Sequence, residues 1–170
     1  MSGKATTARA MNDRNAGSDM PPPAQPHRLP RDYPVATVGA LIFNPQGKIL
    51  LVRTHKWGHT YGIPGGKIEK GEETVAALHR EIREETGLAI SDVAFVLVQD
   101  CIDPPEFHVP NSHFLLFNYT ARTGSTEVRL NDEAQSHVWI DPREALALHL
   151  NRPTRTLIET VLARSTPGPT

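Results

Sequence analysis

Three glutamates in one short stretch have a spacing that suits metal chemistry. Glu81, Glu84 and Glu85 stand at i, i+3 and i+4, so a helix would place them side by side on one surface. Like charges so close repel one another, and a bound cation would offset that cost. Carboxylate oxygens suit Mg²⁺ or Mn²⁺, which bind through a few carboxylates together with water and substrate phosphates. The spacing therefore predicts a divalent-metal site for a phosphate ester or anhydride.

A glycine-rich segment precedes these glutamates. Residues Ile63–Lys67 read Ile-Pro-Gly-Gly-Lys, and glycine allows the backbone to approach a ligand closely. Exposed carbonyl oxygens from such a loop add to the hard oxygen ligands that these cations prefer. Lys67 either contacts a phosphate or is an ordinary solvated lysine.

A helix is expected to carry the three carboxylates. Glu73 or Thr74 can open it, and Gly87 stands where a left-handed residue would end it. The helix needs an apolar stripe that docks on a core, and the candidates recur at i, i+3 and i+7. They are Val75, Leu78 and Ile82.

The whole stretch from Gly66 to Leu88 resembles the Nudix box. That pattern is Gly, five residues, Glu, seven residues, then Arg-Glu-aliphatic-x-Glu-Glu-x-Gly-aliphatic. Every fixed position is present in this chain: Gly66, Glu72, Arg80, Glu81, Ile82, Glu84, Glu85, Gly87 and Leu88. The alternative is an acidic amphipathic helix with a solvated face.

The resemblance implies roles for these residues. The metal ligands would be Glu81, Glu84, Glu85 and the carbonyl of Gly65. Arg80 would support them by pairing with Glu84 one turn on, or with Glu72 across the loop. Glu72 would brace the loop against the helix and could reach a metal through water.

Three acidic residues outside the box are candidates for the general base that takes a proton from water. Glu133 leads, because it stands before a predicted strand that ends in Trp139, as in the downstream segment of Nudix proteins. It is otherwise an extra metal ligand or a solvated loop carboxylate. Glu106 and Asp103, in the long loop 103–112, are its rivals, and one of the box glutamates is a further alternative.

Contacts to the substrate are expected from loops near the glycine segment. Trp57 and Phe107 are candidates for stacking on a base, although each could instead pack or cover a loop. Lys67 and Arg53 are the cationic candidates. The scattered histidines lack paired cysteines or an HExxH spacing, which argues against a metal role for them.

The resemblance implies hydrolysis of a nucleoside diphosphate linked to another group. Mg²⁺ or Mn²⁺ on the helix glutamates would offset charge at phosphorus and activate a water molecule. The compact chain is similar to the MutT-like branch, which acts on (d)NTPs and releases pyrophosphate. Pro104 is reminiscent of ADP-ribose pyrophosphatases, and nucleotide sugars and dinucleoside polyphosphates stay open.

Two other kinds of function are alternatives. A Nudix-fold module that binds a nucleotide without cutting it would usually lack one of the box glutamates, and this box is complete. An RNA-processing hydrolase of the same fold is disfavoured because the chain has a formal net charge of only −1.

Composition narrows the partners. Near-neutral charge and a pI near 6.7 exclude bulk nucleic acid as the expected partner. The single cysteine, Cys101, excludes an internal disulfide and is expected to be buried in a strand. No apolar run is long enough for a membrane span, and the N-terminus lacks a signal-peptide core. We therefore expect a cytoplasmic monomer or homodimer that acts on a small nucleotide.

The chain divides into three parts by composition. Residues 1–33 form a predicted disordered, Pro-rich tail, residues 34–164 the folded domain, and residues 165–170 a second disordered tail. Strands are predicted over residues 35–43, 48–53, 93–102, 113–121 and 136–140. Helices are predicted in the box, from Asp141 and over residues 153–163. The order indicates a mixed sheet covered on both faces, in agreement with the α/β/α sandwich that the resemblance implies.

Overall fold

The computed structural model describes residues 33–165, and the sheet is assembled around β1 (Val35–Phe43). Side chains of a strand alternate between the two faces of its sheet. Accordingly, Val38, Ala40 and Ile42 belong to one hydrophobic core and Leu41 to a second. The strand is thus buried on both faces, as its continuous apolar sequence predicts.

The remaining elements follow in chain order. The strands are β2 (Ile49–Thr54), β3 (Tyr61–Gly62), β4 (Gly65–Lys67), β5 (Ser91–Ile102), β6 (His113–Arg122) and β7 (Ala134–Ile140). The helices are α1 (Thr74–Thr86), α2 (Pro142–Ala145) and α3 (Arg152–Ser165). No helix among residues 33–165 has both the length and the apolar character that crossing a bilayer requires.

The sheet is mixed, with β1 and β6 parallel and the other pairs antiparallel. Its main order is β3-β2-β1-β6-β5, with β7 paired to β2. After their shared turn, β1 and β2 pair at Phe43 and Ile49, and β4 pairs with β1 over Thr37–Gly39. The glycine segment is therefore hydrogen-bonded into the sheet beside the central strand.

Helices cover both faces, which confirms the predicted sandwich. On one face α1 packs Ala77, Leu78 and Ile82 against β1 and β2. On the other, α3 packs Leu157 and Ile158 against Leu41, Ile49 and Leu51. Burying large aliphatic side chains contributes about 1.5–3 kcal/mol each, so these two layers hold the helices on the sheet.

Local signals placed most boundaries correctly. Gly87 ends α1 with φ 71° and donates its N–H to the Arg83 carbonyl. Asp141 caps α2 by accepting from the Arg143 N–H at 2.8 Å, and Asn44 holds the β1–β2 turn through the N–H groups of Gln46 and Lys48. Cys101 is buried in β5, as predicted.

Some boundaries differ from prediction. Val75 is 41% exposed, so the buried face of α1 begins two residues later, at Ala77. β7 begins at Ala134 rather than Ser136, because its pairing with β2 extends to Thr54 across a bulge. Both predicted tails, 1–33 and 165–170, lie outside the described residues except for Tyr33 and Ser165.

Candidate active site

The acidic face of α1 is organised by one arginine. Arg80 donates through Nε and Nη2 to the two carboxylate oxygens of Glu72, both at 2.8 Å. Its Nη1 contacts Glu81 at 2.8 Å and, more loosely, Glu84 at 3.4 Å. Nη2 also donates to the Lys67 carbonyl at 3.0 Å. A single guanidinium therefore ties the glycine segment, the loop before α1 and the acidic helix face together.

This network fixes the charge of Glu72. The hydrogen bonds from Arg80 are the largest cause, and the N–H of Glu69 adds to them, so the pKa of Glu72 falls to about 2. The same contacts, first to Glu72 and then to Glu81, raise the pKa of the Arg80 guanidinium. Glu72 does not line the cleft described below; its carboxylate braces the loop through Arg80.

Glu85 lies in a different environment from its two helical neighbours. Its Oε2 accepts from the Gly65 N–H at 2.8 Å. Burial is the main cause that raises the pKa of Glu85 to about 7, and repulsion from Glu81 and Glu133 adds to it. A carboxylate buried among like charges is a position at which a cation is stabilised.

The two glycines of the segment allow this close approach. A Cβ on Gly66 would collide with the carboxylate of Glu81, and one on Gly65 would collide with the Val38 carbonyl. Gly65 also has φ 151°, which favours glycine. A side chain at Gly66 would displace the Glu81 carboxylate, and one at Gly65 would push the segment away from β1.

The acidic face opens into a cleft of about 1060 Å³. Glu81, Glu84 and Glu85 line one wall together with Gly65 and Gly66. Other residues of the lining come from β1, β2, β6 and the start of α3; they include Thr37, Val52, Leu116, Asn118, Asn151 and Thr154. The cleft is large enough for a nucleotide-sized ligand.

An aromatic cluster forms another part of the cleft lining. Trp57 and Phe107 have ring centroids 5.0 Å apart, and Phe107 meets Phe114 edge-on at the same distance. All three line the cleft. The rings pack on one another, as the packing interpretation of Trp57 and Phe107 expects. Stacking on a base stays a prediction.

The three candidate general bases differ in their position relative to the cleft. Glu133 lines the cleft and forms an ion pair with Lys56 at 2.6 Å. Asp103 closes its own loop by accepting from the Ser112 N–H at 2.9 Å. Glu106 has a buried Oε2 without a hydrogen-bond partner among the described residues. Neither Asp103 nor Glu106 belongs to the cleft lining.

The two cationic candidates for substrate contact also differ in their position relative to the cleft. Lys67 lines the cleft. Arg53 does not; its Nε donates to the His59 carbonyl at 2.7 Å and steadies the loop after β2. His55 and His59 contact the Gln135 side chain instead of any acidic residue.

Sequence reasoning did not single out Lys56, Phe114, Asn118 or Asn151, all of which line the cleft. Lys56 had a signal, because a lysine beside Trp57 follows the strand that leads to the glycine segment. Asn118 lies within an apolar strand, where a polar residue is itself unusual. Phe114 and Asn151 carry no local signal. Phe114 reaches the cleft because β6 pairs in the sheet, and Asn151 reaches it because of where α3 starts.

The residues present fit a divalent cation, although they are not gathered around one. Within residues 33–165, no three His, Cys, Asp or Glu side chains are arranged so that they could hold a metal ion. The reason is visible in the contacts, because Arg80 engages Glu81 and Glu84 while the Gly65 N–H engages Glu85. Carboxylate oxygens are nonetheless the donor type that such a cation prefers.

The chain matches a known protein family over most of its length. Residues 33–161 match the family model described as the NUDIX domain. The 8-oxo-dGDP phosphatase NUDT18 of Danio rerio is 32% identical over 114 residues, which cover 65% of this chain and 33% of that protein. The chain thus spans about a third of that relative's length. Nucleoside triphosphatase NudI of Salmonella newport is 30% identical over 100 residues, covering 56% of this chain and 71% of that protein.

Solved structures agree with these sequence matches. A MutT NUDIX hydrolase from Burkholderia pseudomallei has a TM-score of 0.66 and 30% identity, covering 76% of this chain and 99% of that one. The NUDIX domain of Shewanella oneidensis NrtR, determined with ADP ribose, has a TM-score of 0.67 at 20% identity, covering 79% and 90%. At that identity the second comparison shows a shared fold alone.

Proposed function

This chain belongs to the Nudix family, and we propose on that premise that it is a divalent-metal-dependent hydrolase of a phosphoric anhydride in a nucleotide. One observation carries the proposal. The three helix carboxylates of the box, Glu81, Glu84 and Glu85, line the same cleft as the glycine segment and an aromatic cluster. Acidic groups for a cation and ring surface for a base are thereby available to a single ligand.

We assign the cation to Glu81, Glu84, Glu85 and the carbonyl of Gly65, and expect Mg²⁺ or Mn²⁺. A bound divalent ion would supply charge neutralisation at the diphosphate and an activated water. The carboxylate of Glu85, raised in pKa by burial and by its acidic neighbours, is stabilised when a cation shares that space. The Gly65 N–H holds one of its oxygens in place.

The remaining residues position these groups. Arg80 and Glu72 brace the acidic helix face against the glycine segment through paired hydrogen bonds. Glu133 is our general base, supported by its place in the cleft lining and by its charge acting on Glu85. A base must lie within reach of the proton it removes, and neither Asp103 nor Glu106 lines the cleft.

For the substrate we propose a (d)NTP or a related nucleotide. Two relatives, named an 8-oxo-dGDP phosphatase and a nucleoside triphosphatase, support that class. Trp57, Phe107 and Phe114 offer a stacking surface for a base, and Lys67 a cation for a phosphate. We place the activity in the cytoplasm, as the sequence predicts, and in a monomer or homodimer.

A product-resolved assay tests the proposal. The protein is incubated with (d)NTPs, oxidised nucleotides, ADP-ribose, nucleotide sugars and dinucleoside polyphosphates in Mg²⁺ or Mn²⁺, and the released products are separated. We expect metal-dependent cleavage of a (d)NTP or related nucleotide, lowered by about 100-fold or more in Glu85→Gln. Release of a phosphosugar from ADP-ribose would shift the substrate class. Near wild-type hydrolysis by Glu85→Gln, or tight nucleotide binding with no turnover, would refute the assignment.

A further inference from the structure

The loop after β2 and the loop before β7 meet at the cleft through an ion pair. Lys56 Nζ lies 2.6 Å from Glu133 Oε2, although 77 positions separate the two residues in the chain. Their side chains are 57% and 51% exposed. Ion pairs this exposed contribute little to stability, so the lysine can change partners at small cost.

The backbone that carries Lys56 is held firmly. In the loop between β2 and β3, Thr60 bonds the Trp57 carbonyl through both its N–H and its hydroxyl, at 3.0 and 2.6 Å. His59 contacts the Gln135 side chain at 3.0 Å, which attaches the loop to β7. The Lys56 carbonyl also accepts from the His108 N–H at 3.4 Å. These contacts fix the loop backbone, so only the Lys56 side chain has to move for its ammonium group to change partners.

The two charges act on the acidic site in opposite senses. Lys56 and Glu133 line the same cleft as Glu81 and Glu85, so Glu133 adds negative charge to the acidic wall, whereas Lys56 offsets it. As long as the ion pair is made, the negative charge of Glu133 is partly cancelled. Once Lys56 leaves, the full charge of Glu133 adds to that of Glu81 and Glu85.

We propose that Lys56 exchanges Glu133 for a substrate phosphate. In the free protein it pairs with Glu133; when a nucleoside diphosphate group enters the cleft, its ammonium moves to a phosphate oxygen. The released Glu133 carboxylate then strengthens the hold of the acidic wall on a divalent cation. This inference rests on the proposed function, and it makes substrate and metal binding mutually reinforcing, since coupling between two sites is reciprocal.

Two binding titrations test the exchange without turnover. The probes are Mn²⁺ alone and methylenediphosphonate, whose carbon bridge resists hydrolysis, each titrated calorimetrically into the full chain. In Lys56→Met we expect Mn²⁺ to bind about threefold to tenfold more tightly. Methylenediphosphonate, titrated with Mn²⁺ present, should bind more weakly by a similar factor, because its cationic partner is lost.

Matched variants separate exchange from simpler effects. Lys56→Arg keeps the charge and should remain within about twofold of wild type for both probes. Arg129→Met removes a cation from another exposed ion pair, with Glu127 at 3.1 Å, and should leave both affinities unchanged. Lys56→Gln repeats the loss of charge if the methionine variant folds poorly.

The directions of the two affinity changes, for Mn²⁺ and for methylenediphosphonate, decide the result. Unchanged or weaker Mn²⁺ binding in both Lys56→Met and Lys56→Gln, or unchanged methylenediphosphonate affinity, would overturn the exchange. Weaker binding of both probes would also overturn it and leave Lys56 an ordinary ligand of the site. Opposite shifts in a protein that hydrolyses no nucleotide of the panel would uphold the exchange while rejecting the proposed activity, so the two failures are distinguishable.

Discussion

Replacing Glu85 with glutamine should stabilise the metal-free protein at alkaline pH. Burial raises the pKa of Glu85 from 4.5 to about 7 in the folded chain. Between these values the folded protein binds a proton that the unfolded chain has released. The free energy of unfolding therefore falls as the pH rises from about 4.5 to 7, and the loss persists above pH 7. Glutamine removes the titration and can still accept from the Gly65 N–H.

The size of the effect follows from that shift. The full change corresponds to about 3 kcal/mol at 1.36 kcal/mol per pKa unit, and partial exposure of the carboxyl reduces it to about 2 kcal/mol. We expect Glu85→Gln to raise the melting temperature at pH 8 by about 4–8 °C. Near pH 4.5 the folded carboxyl holds its proton and the unfolded one holds it about half the time, so most of the difference is gone and the two proteins should melt within a degree or two.

Urea and thermal unfolding in EDTA at pH 4.5 and pH 8 measure this difference. Both proteins carry the same eight histidines, so their titration cancels when the two are compared at one pH. Glu84→Gln is the matched control, because its side chain is 59% exposed and should change little. Adding Mg²⁺ at pH 8 should stabilise wild type more than Glu85→Gln. A stability difference between the two that does not change with pH would refute the reasoning.

Three further predictions test the supporting residues. Glu72→Gln should lose stability above about pH 4.5, and the difference from wild type should vanish as pH falls towards 2, because the pKa of Glu72 is lowered to about 2 in the fold; melting curves across that range measure it. Gly66→Ala forces a methyl group against the Glu81 carboxylate and should lower kcat by about 100-fold with circular dichroism unchanged, whereas wild-type kcat would contradict the close contact. Trp57→Ala should raise KM for the nucleotide by about tenfold with a smaller change in kcat; an unaltered KM would leave Trp57 a packing residue.

The sequence predicted those parts of the fold that depend on local rules. Gly87 as a helix end and Asp141 as a helix start follow from backbone geometry and short-range hydrogen bonds, and the structure confirms both. The family was predictable because the box fixes residue types at many positions over one short stretch, and the mixed sheet was predictable from the order of strands and helices. The prediction that Val75 belongs to the buried stripe of α1 was wrong, because a helical period alone does not show which turn of the helix is covered.

The composition of the site could be predicted only where the residues are neighbours in the chain. Glu81, Glu84 and Glu85 share one helical face, so their proximity follows from the 3.6-residue period. Lys56 and Glu133 meet because β2 pairs with β7, and nothing local in either segment records that pairing. Their contact lies beyond reach of spacing arguments, and the metal and substrate roles of all these residues stay predictions.

The pairing of β4 with β1 divides the cleft lining into a part that is fixed to the sheet and a part that lies in loops. Gly65, Gly66 and Lys67 align with Gly39, Val38 and Thr37 in the central sheet, so any shift of the segment must disturb the core. Residues 54–60 and 103–112 bring Trp57 and Phe107 to the same cleft from connections outside that ladder. Grafting these two connections from a relative should therefore transfer that relative's substrate preference and leave the metal requirement intact. The sheet would act as a fixed framework, and the two loops would be exchangeable.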